Sequence, residues 1–99
     1  MTYLLCRNRV ADFERWKRVF ASHRSAHLGA GLRLIHLWRG AEDANNIFFV
    51  FEVASVDKAR EFIGDPEAAK AAAASGVLDG EYHFAVDAGG YGAAPDLAA

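Results

Sequence analysis

His23 and His27 continue a row of apolar residues, Phe13, Trp16 and Phe20, that recurs at spacings of three and four, the signature of one helix face. Both imidazoles are therefore expected to point at the core rather than into water. An unperturbed imidazole titrates at about pH 6.5, so a partly buried one accepts a proton at neutral pH and serves as a general base toward a phenol or an acidic C–H. His23 is the candidate for that catalytic role. The plainer reading keeps each ring as a core residue satisfied by a backbone carbonyl or a tyrosine, or as a helix-end residue favoured by the negative dipole there. Histidines four apart also suit a metal ion. The run His23-Arg24-Ser25-Ala26-His27, however, lacks the glutamate that a zinc-protease helix supplies, and no Cys or carboxylate cluster completes a site nearby. A third ligand from His36 or His83 depends on which way strand parity turns it. No metal is expected.

Around these rings the sequence offers side chains suited to a flat, apolar ligand. Trp16, Trp38, Tyr3 and Tyr82 combine large contact area with a polar handle, and Phe20 lies on the histidine stripe. The candidate substrate-binding residues are Trp16, Phe20, His27, His36, Trp38 and Tyr82; the ordinary alternative is that aromatic residues in a small domain are core. His36 and Glu52 interrupt otherwise apolar strands, which makes them pocket residues or partners in a buried interfacial hydrogen bond. Cys6 has no neighbouring histidine and no thiolate-stabilising context, and reads as a small buried hydrophobe.

These residues need elements to hold them. Tyr3 to Arg9 reads as a first strand whose Arg7-Asn8-Arg9 end suits a sheet edge or a pocket mouth. A helix follows from Asp12 and stops in Gly29-Ala30-Gly31. Leu32 to Arg39 and Ile47 to Val53 read as strands joined by the polar turn from Gly40 to Asn46, and so as an antiparallel hairpin. Alternation puts Leu32, Leu34, His36 and Trp38 on one side of the first of these strands, with Ile35 and Leu37 on the other. In the second, Ile47, Phe49, Phe51 and Val53 oppose Phe48 and Val50. Neither strand has a face built for water, which calls for a cover that one short chain cannot supply by itself. A second copy of the chain is the expected cover. Ser55 caps a second helical stretch with an apolar face of Val56, Ala59, Phe62 and Ile63. Asp65 and Pro66 restart it, and an alanine-rich run carries it to Ser75 before Gly76 ends it. Glu81 to Val86 is the last strand. The order strand, helix, strand, strand, helix, strand specifies an α+β, ferredoxin-like βαββαβ layer on a four-stranded antiparallel sheet.

The chain of 99 residues fits one domain, read here as residues 1–86, followed by a Gly/Ala-rich tail over 87–99 that composition marks as a loose end. A net charge of -2 supplies no field to attract nucleic acid or an anionic membrane. One cysteine forms no internal disulfide and suits a reducing cytosol. No apolar run nears the roughly 20 residues of a membrane helix, and the start leads into a strand rather than a signal peptide. A cytoplasmic protein is expected.

The run Asp12-Phe13-Glu14-Arg15-Trp16-Lys17-Arg18-Val19-Phe20 followed by His23, the Gly31-Leu32 entry to the second strand, Phe49-Val50-Phe51-Glu52-Val53 and Asp65-Pro66-Glu67 together resemble the antibiotic biosynthesis monooxygenase-like family of the dimeric α+β-barrel superfamily, over roughly residues 3 to 86. The resemblance implies a homodimer whose sheets close a barrel, with a pocket between each sheet and its own helices. It implies a small apolar, aromatic or polyketide-like ligand and, among the activities of the superfamily, a monooxygenase working without cofactor. Such chemistry needs a base, since removing a proton leaves an electron-rich carbanion or phenolate able to reduce oxygen directly. The alternative within the same fold is a ligand-binding or interaction module without chemistry. A haem-degrading relative would carry an asparagine on strand one, where Asn8 stands, and a histidine on helix two, where Val56 to Ser75 has none.

Overall fold

Strands from both halves of the chain interleave. The computed structural model describes residues 1–88. Along them run β1 (Thr2–Val10), α1 (Phe13–Ser22), α2 (Arg24–Gly29), β2 (Leu32–Arg39), β3 (Asn46–Val53), α3 (Val56–Gly64), α4 (Pro66–Ala74) and β4 (Val77–Val86). Every neighbouring pair in the sheet is antiparallel and the order is β2-β3-β1-β4. This is the expected ferredoxin-like α+β fold. The tail expected from residue 87 lies, beyond Ala88, outside the described residues.

Strand alternation divides the residues between two faces. Leu4, Cys6, Asn8 and Val10 of β1 and Ile47, Phe49, Phe51 and Val53 of β3 are buried beneath the helices, each two residues from the next as one pleated face requires. Trp16, 1% exposed, anchors α1 there. Its ring stacks on Phe20 at 4.6 Å between centroids and meets Phe49 at 5.6 Å. The helix starts follow their capping residues: Asp12 accepts from the Glu14 N–H at 3.0 Å and Asp65 from the Glu67 N–H at 2.8 Å, with Pro66 in the first position of α4. Gly31, at φ 76°, makes the left-handed turn into β2.

Four features depart from the sequence reading. The first helix is broken at His23, where the Ser22 hydroxyl and the His23 Nδ1 both use the Val19 carbonyl, at 2.6 and 2.8 Å. The His23 backbone N–H bonds instead to the Phe20 carbonyl at 3.1 Å, tightening the turn. In β2 the pairing with β3 slips between Leu34 and His36, so Leu34 faces Phe51, His36 faces Val50, Leu37 faces Phe49 and Trp38 faces Phe48. A bulge of one residue reverses the parity beyond it. Leu34, Leu37 and Arg39 therefore share the helix side, while His36 and Trp38 turn to the opposite face, contrary to simple alternation. β1 is a central strand, so its Arg7-Asn8-Arg9 end does not lie at a sheet edge, one of its two expected places. Its arginines lie on the outer face, Arg7 paired with Glu81 at 2.9 Å and Arg9 with Asp79 at 2.7 Å. Those acidic partners belong to a β4 that begins at Val77 and not at Glu81; its Asp79-Gly80 step resembles a turn in sequence but pairs with Arg9 and Asn8.

Replacing Trp16 with Ala removes the largest fully buried side chain, and is expected to lower the unfolding free energy by about 3–5 kcal/mol in a urea titration.

Candidate active site

The helices leave a cavity of about 550 Å³ against the sheet, within the range of small-molecule sites. It exists because α4 contributes mostly methyl groups on this side: Ala68, Ala71 and Ala72 line it where longer side chains would fill it. Trp16, Phe20, His23, His27 and Tyr82 are in its walls, so five of the seven residues singled out from sequence come together. His36 and Trp38 do not. The β2 bulge carries them to the outer face, where their rings stack on each other at 4.8 Å.

A polar cluster closes one end. Asn8 is 5% exposed, and its amide meets the Trp16 indole N–H, the Arg7 carbonyl and the Tyr82 hydroxyl at 3.0 to 3.3 Å. The indole only donates and the carbonyl only accepts, so the amide oxygen must face Trp16 and its nitrogen must face Arg7 and Tyr82. Tyr82 then accepts from Asn8 and keeps its own proton for another acceptor. Burial raises the phenol above its usual range, which keeps that proton in place at neutral pH. Gly80 makes the cluster possible: a Cβ there would stand 2.7 Å from the Asn8 amide and 2.9 Å from the Arg7 carbonyl. Sequence reading put Asn8 at a sheet edge or pocket mouth and matched it only to the asparagine of a haem-degrading relative, without foreseeing this cluster. Its signal was a lone polar residue in the inward series Leu4, Cys6, Asn8, Val10, but its partner Tyr82 lies in the last strand.

The two histidines have different surroundings. His23 Nδ1, 2.8 Å from the Val19 carbonyl, must carry its proton toward that oxygen, which leaves Nε2 as the ring's acceptor. His27 sits among Phe20, Phe51 and Phe62 at 4.9, 5.1 and 5.5 Å between centroids. Burial first, and second the repulsion that a protonated His23 would exert, push its pKa down to about 4, so the ring is neutral at physiological pH. Cys6 also lines the cavity, with its thiol pushed up to about 12 by burial; it stays protonated and is no nucleophile. Among the described residues no group of three His, Cys, Asp or Glu side chains is placed to hold a metal ion, and no helix is long and apolar enough to cross a membrane.

Solved structures with this architecture include a candidate antibiotic biosynthesis monooxygenase from Bordetella bronchiseptica, at TM-score 0.70 and 14% identity over 87% of this chain and 95% of that one. SnoaB, a cofactor-independent oxygenase from Streptomyces nogalater, matches at TM-score 0.67 and 16% identity over 92% and 96%. An uncharacterized NIPSNAP domain protein from Burkholderia xenovorans matches at 0.63 and 13% over 89% and 95%. The chain has their fold. No protein-family model matches the sequence, and no curated protein does. The likeness is thus one of backbone, and what this antibiotic biosynthesis monooxygenase-like fold does here has to be argued from its own cavity.

His27 couples folding to acidity. Its folded pKa of about 4 lies below the unfolded value of about 6.5, so the unfolded chain takes up the proton first. Stability is expected to fall as pH drops from about 6.5 to about 4 and to gain nothing from His27 below that. Urea titrations across this range should show a shallower loss in His27→Phe, and the His27 ring resonances should titrate near the lower limit.

Proposed function

We propose that the chain is a cytoplasmic, homodimeric monooxygenase that needs no cofactor and acts on a small aromatic or polyketide-like molecule held between α1 and the sheet. The observation that carries this reading is the cavity itself. Its walls are aromatic and apolar, and both a proton acceptor, His23, and a paired donor, Tyr82 with Asn8, belong to them. A substrate with an acidic CH₂ next to a phenol would give a proton to His23 Nε2. The resulting carbanion passes an electron to dioxygen, and recombination forms a carbon-bound peroxide. Loss of water from the peroxide leaves a carbonyl. One oxygen atom enters the product and the other leaves as water, with the substrate supplying the electrons. The Tyr82 hydroxyl, oriented by Asn8, stabilises the negative oxygen that develops on the ring. The cofactor-independent oxygenase that shares this fold supports the same reaction class.

A dimer is part of the proposal because the outer face of the sheet carries an exposed apolar patch beside its ion pairs. Leu5 is 43% exposed, Phe48 37% and Trp38 51%, and cross-strand pairing of Trp38 with Phe48 and of Leu5 with Val50 gathers them on one surface. A second copy would cover this patch.

Two measurements test the reading. His23→Ala is expected to cut oxygen consumption with a polycyclic phenol by about 10²- to 10⁴-fold while the phenol still binds; unchanged turnover removes His23 from the chemistry, and binding without any turnover in the native chain leaves a ligand-binding module. Phe48→Glu should convert a dimer to a monomer in sedimentation velocity, because it buries a charge against an apolar partner surface.

A further inference from the structure

Beyond the site above, the bulge in β2 builds a second cavity. It measures about 380 Å³ and lies between α1, α2 and the edge strand β2. Its floor is Leu34 and Leu37, which share the helix side only because the register slips between them. Leu28 of α2 adds a side wall. The six-residue α2 is too short to cover this end of the sheet, so Leu28 remains 51% and Leu34 39% exposed.

The rim is cationic. Lys17 of α1, Arg24 of α2 and Arg33 of β2 line this cavity, and no Asp or Glu does. Arg33 is paired with Glu52 at 2.6 Å. Among the described residues, Lys17 and Arg24 have no carboxylate within ion-pair distance. The first cavity has the opposite charge at its rim, with Asp65 and Glu67 among its lining residues. In a chain of net charge -2, two cations without a carboxylate partner beside an open apolar floor are a local reversal of sign, and they define the chemistry of what fits: an apolar body ending in an anion.

The geometry points to a second binding site, for an amphipathic carboxylate whose chain lies on Leu34 and Leu37 and whose charged end meets Lys17 and Arg24. The site is not that of the proposed oxygenation, although Phe20, His27, Leu32 and Phe51 stand in the walls of both cavities. Arg33 contributes less than the other cations because Glu52 already occupies it.

Decanoate and decanol provide the test, titrated calorimetrically into the full chain and into the Lys17→Gln, Arg24→Gln double variant. Both substituted residues are exposed, so the fold is retained. Decanoate is expected to bind about tenfold tighter than decanol or better, a margin that added salt and the double variant each abolish while decanol affinity stays unchanged. Amide resonances of Leu28, Leu34 and Leu37 should shift on addition of decanoate more than those of Asn8 and Tyr82. Equal affinities for acid and alcohol, a preference that survives the double variant, shifts concentrated at Asn8 and Tyr82, or no binding of decanoate would each overturn the proposal. Binding of the polycyclic phenol to the first cavity is read separately at Asn8 and Tyr82, so failure there does not decide this result.

Discussion

The indole of Trp16 is the contact on which the rest of the molecule depends. Its apolar surface joins α1 to the sheet through Phe20 and Phe49, while its one N–H reaches across the same interface to Asn8. Packing and polar chemistry are thus fixed by a single side chain. A phenylalanine here would fill most of the volume but leave the Asn8 oxygen without its donor, an unsatisfied polar group in a buried place. Once the indole sets the amide, the amide sets the tyrosine, and the hydroxyl proton of Tyr82 is left for a ligand. The geometry of a candidate active site therefore follows from a core contact.

Incomplete filling is the complementary constraint. Protein interiors ordinarily pack to the density of organic crystals, and a helix of leucines in the place of α4 would close the space above Leu4 and Cys6. The alanines of α4 keep helix propensity high while supplying almost no volume. The chain thereby forms a stable helix over a hollow. On the other side of the sheet the same economy leaves Leu5, Phe48 and Trp38 open. Both faces of one sheet carry apolar residues, and one protomer's helices cover only one face.

Much of this was legible in sequence, because much of it is local. Strand alternation in Ile47 to Val53, the caps at Ser55 and Asp65, and the proline that starts α4 depend on residues within one turn or one pleat of each other. What was not legible depends on distant partners or on competition for a single atom. Nothing in the run from Leu32 to Arg39 marks the slip at Ile35, since the bulge is a property of its pairing with β3, and it alone sends His36 and Trp38 away from the cavity. The strand character of Asp79 and Gly80 was hidden for the same reason: an acid and a glycine look like a turn until Arg9 and Asn8 are placed beside them. At His23 the helical period held on both sides but failed between, because two side chains bind the carbonyl that the next backbone turn would have used.

The charge state of the first cavity follows from these placements. Cys6 is held as a thiol and Tyr82 as a phenol by burial, and His27 is held neutral by the aromatic rings around it. An interior lined by neutral groups admits a neutral substrate without a large desolvation penalty, whereas an anion would enter against the low dielectric and past Asp65 and Glu67. In the proposed reaction, negative charge forms only inside, next to the donor that Asn8 orients. The same electrostatics explain why the two histidines are not interchangeable although they lie four residues apart. A proton on His27 would sit among phenylalanines with no hydrogen-bonding partner among the described residues. A proton arriving at His23 Nε2 makes an imidazolium whose Nδ1–H already faces the Val19 carbonyl, a dipole that stabilises the charge as it develops. The helix break at His23, which cost the backbone one regular turn, is what brings that carbonyl to the ring.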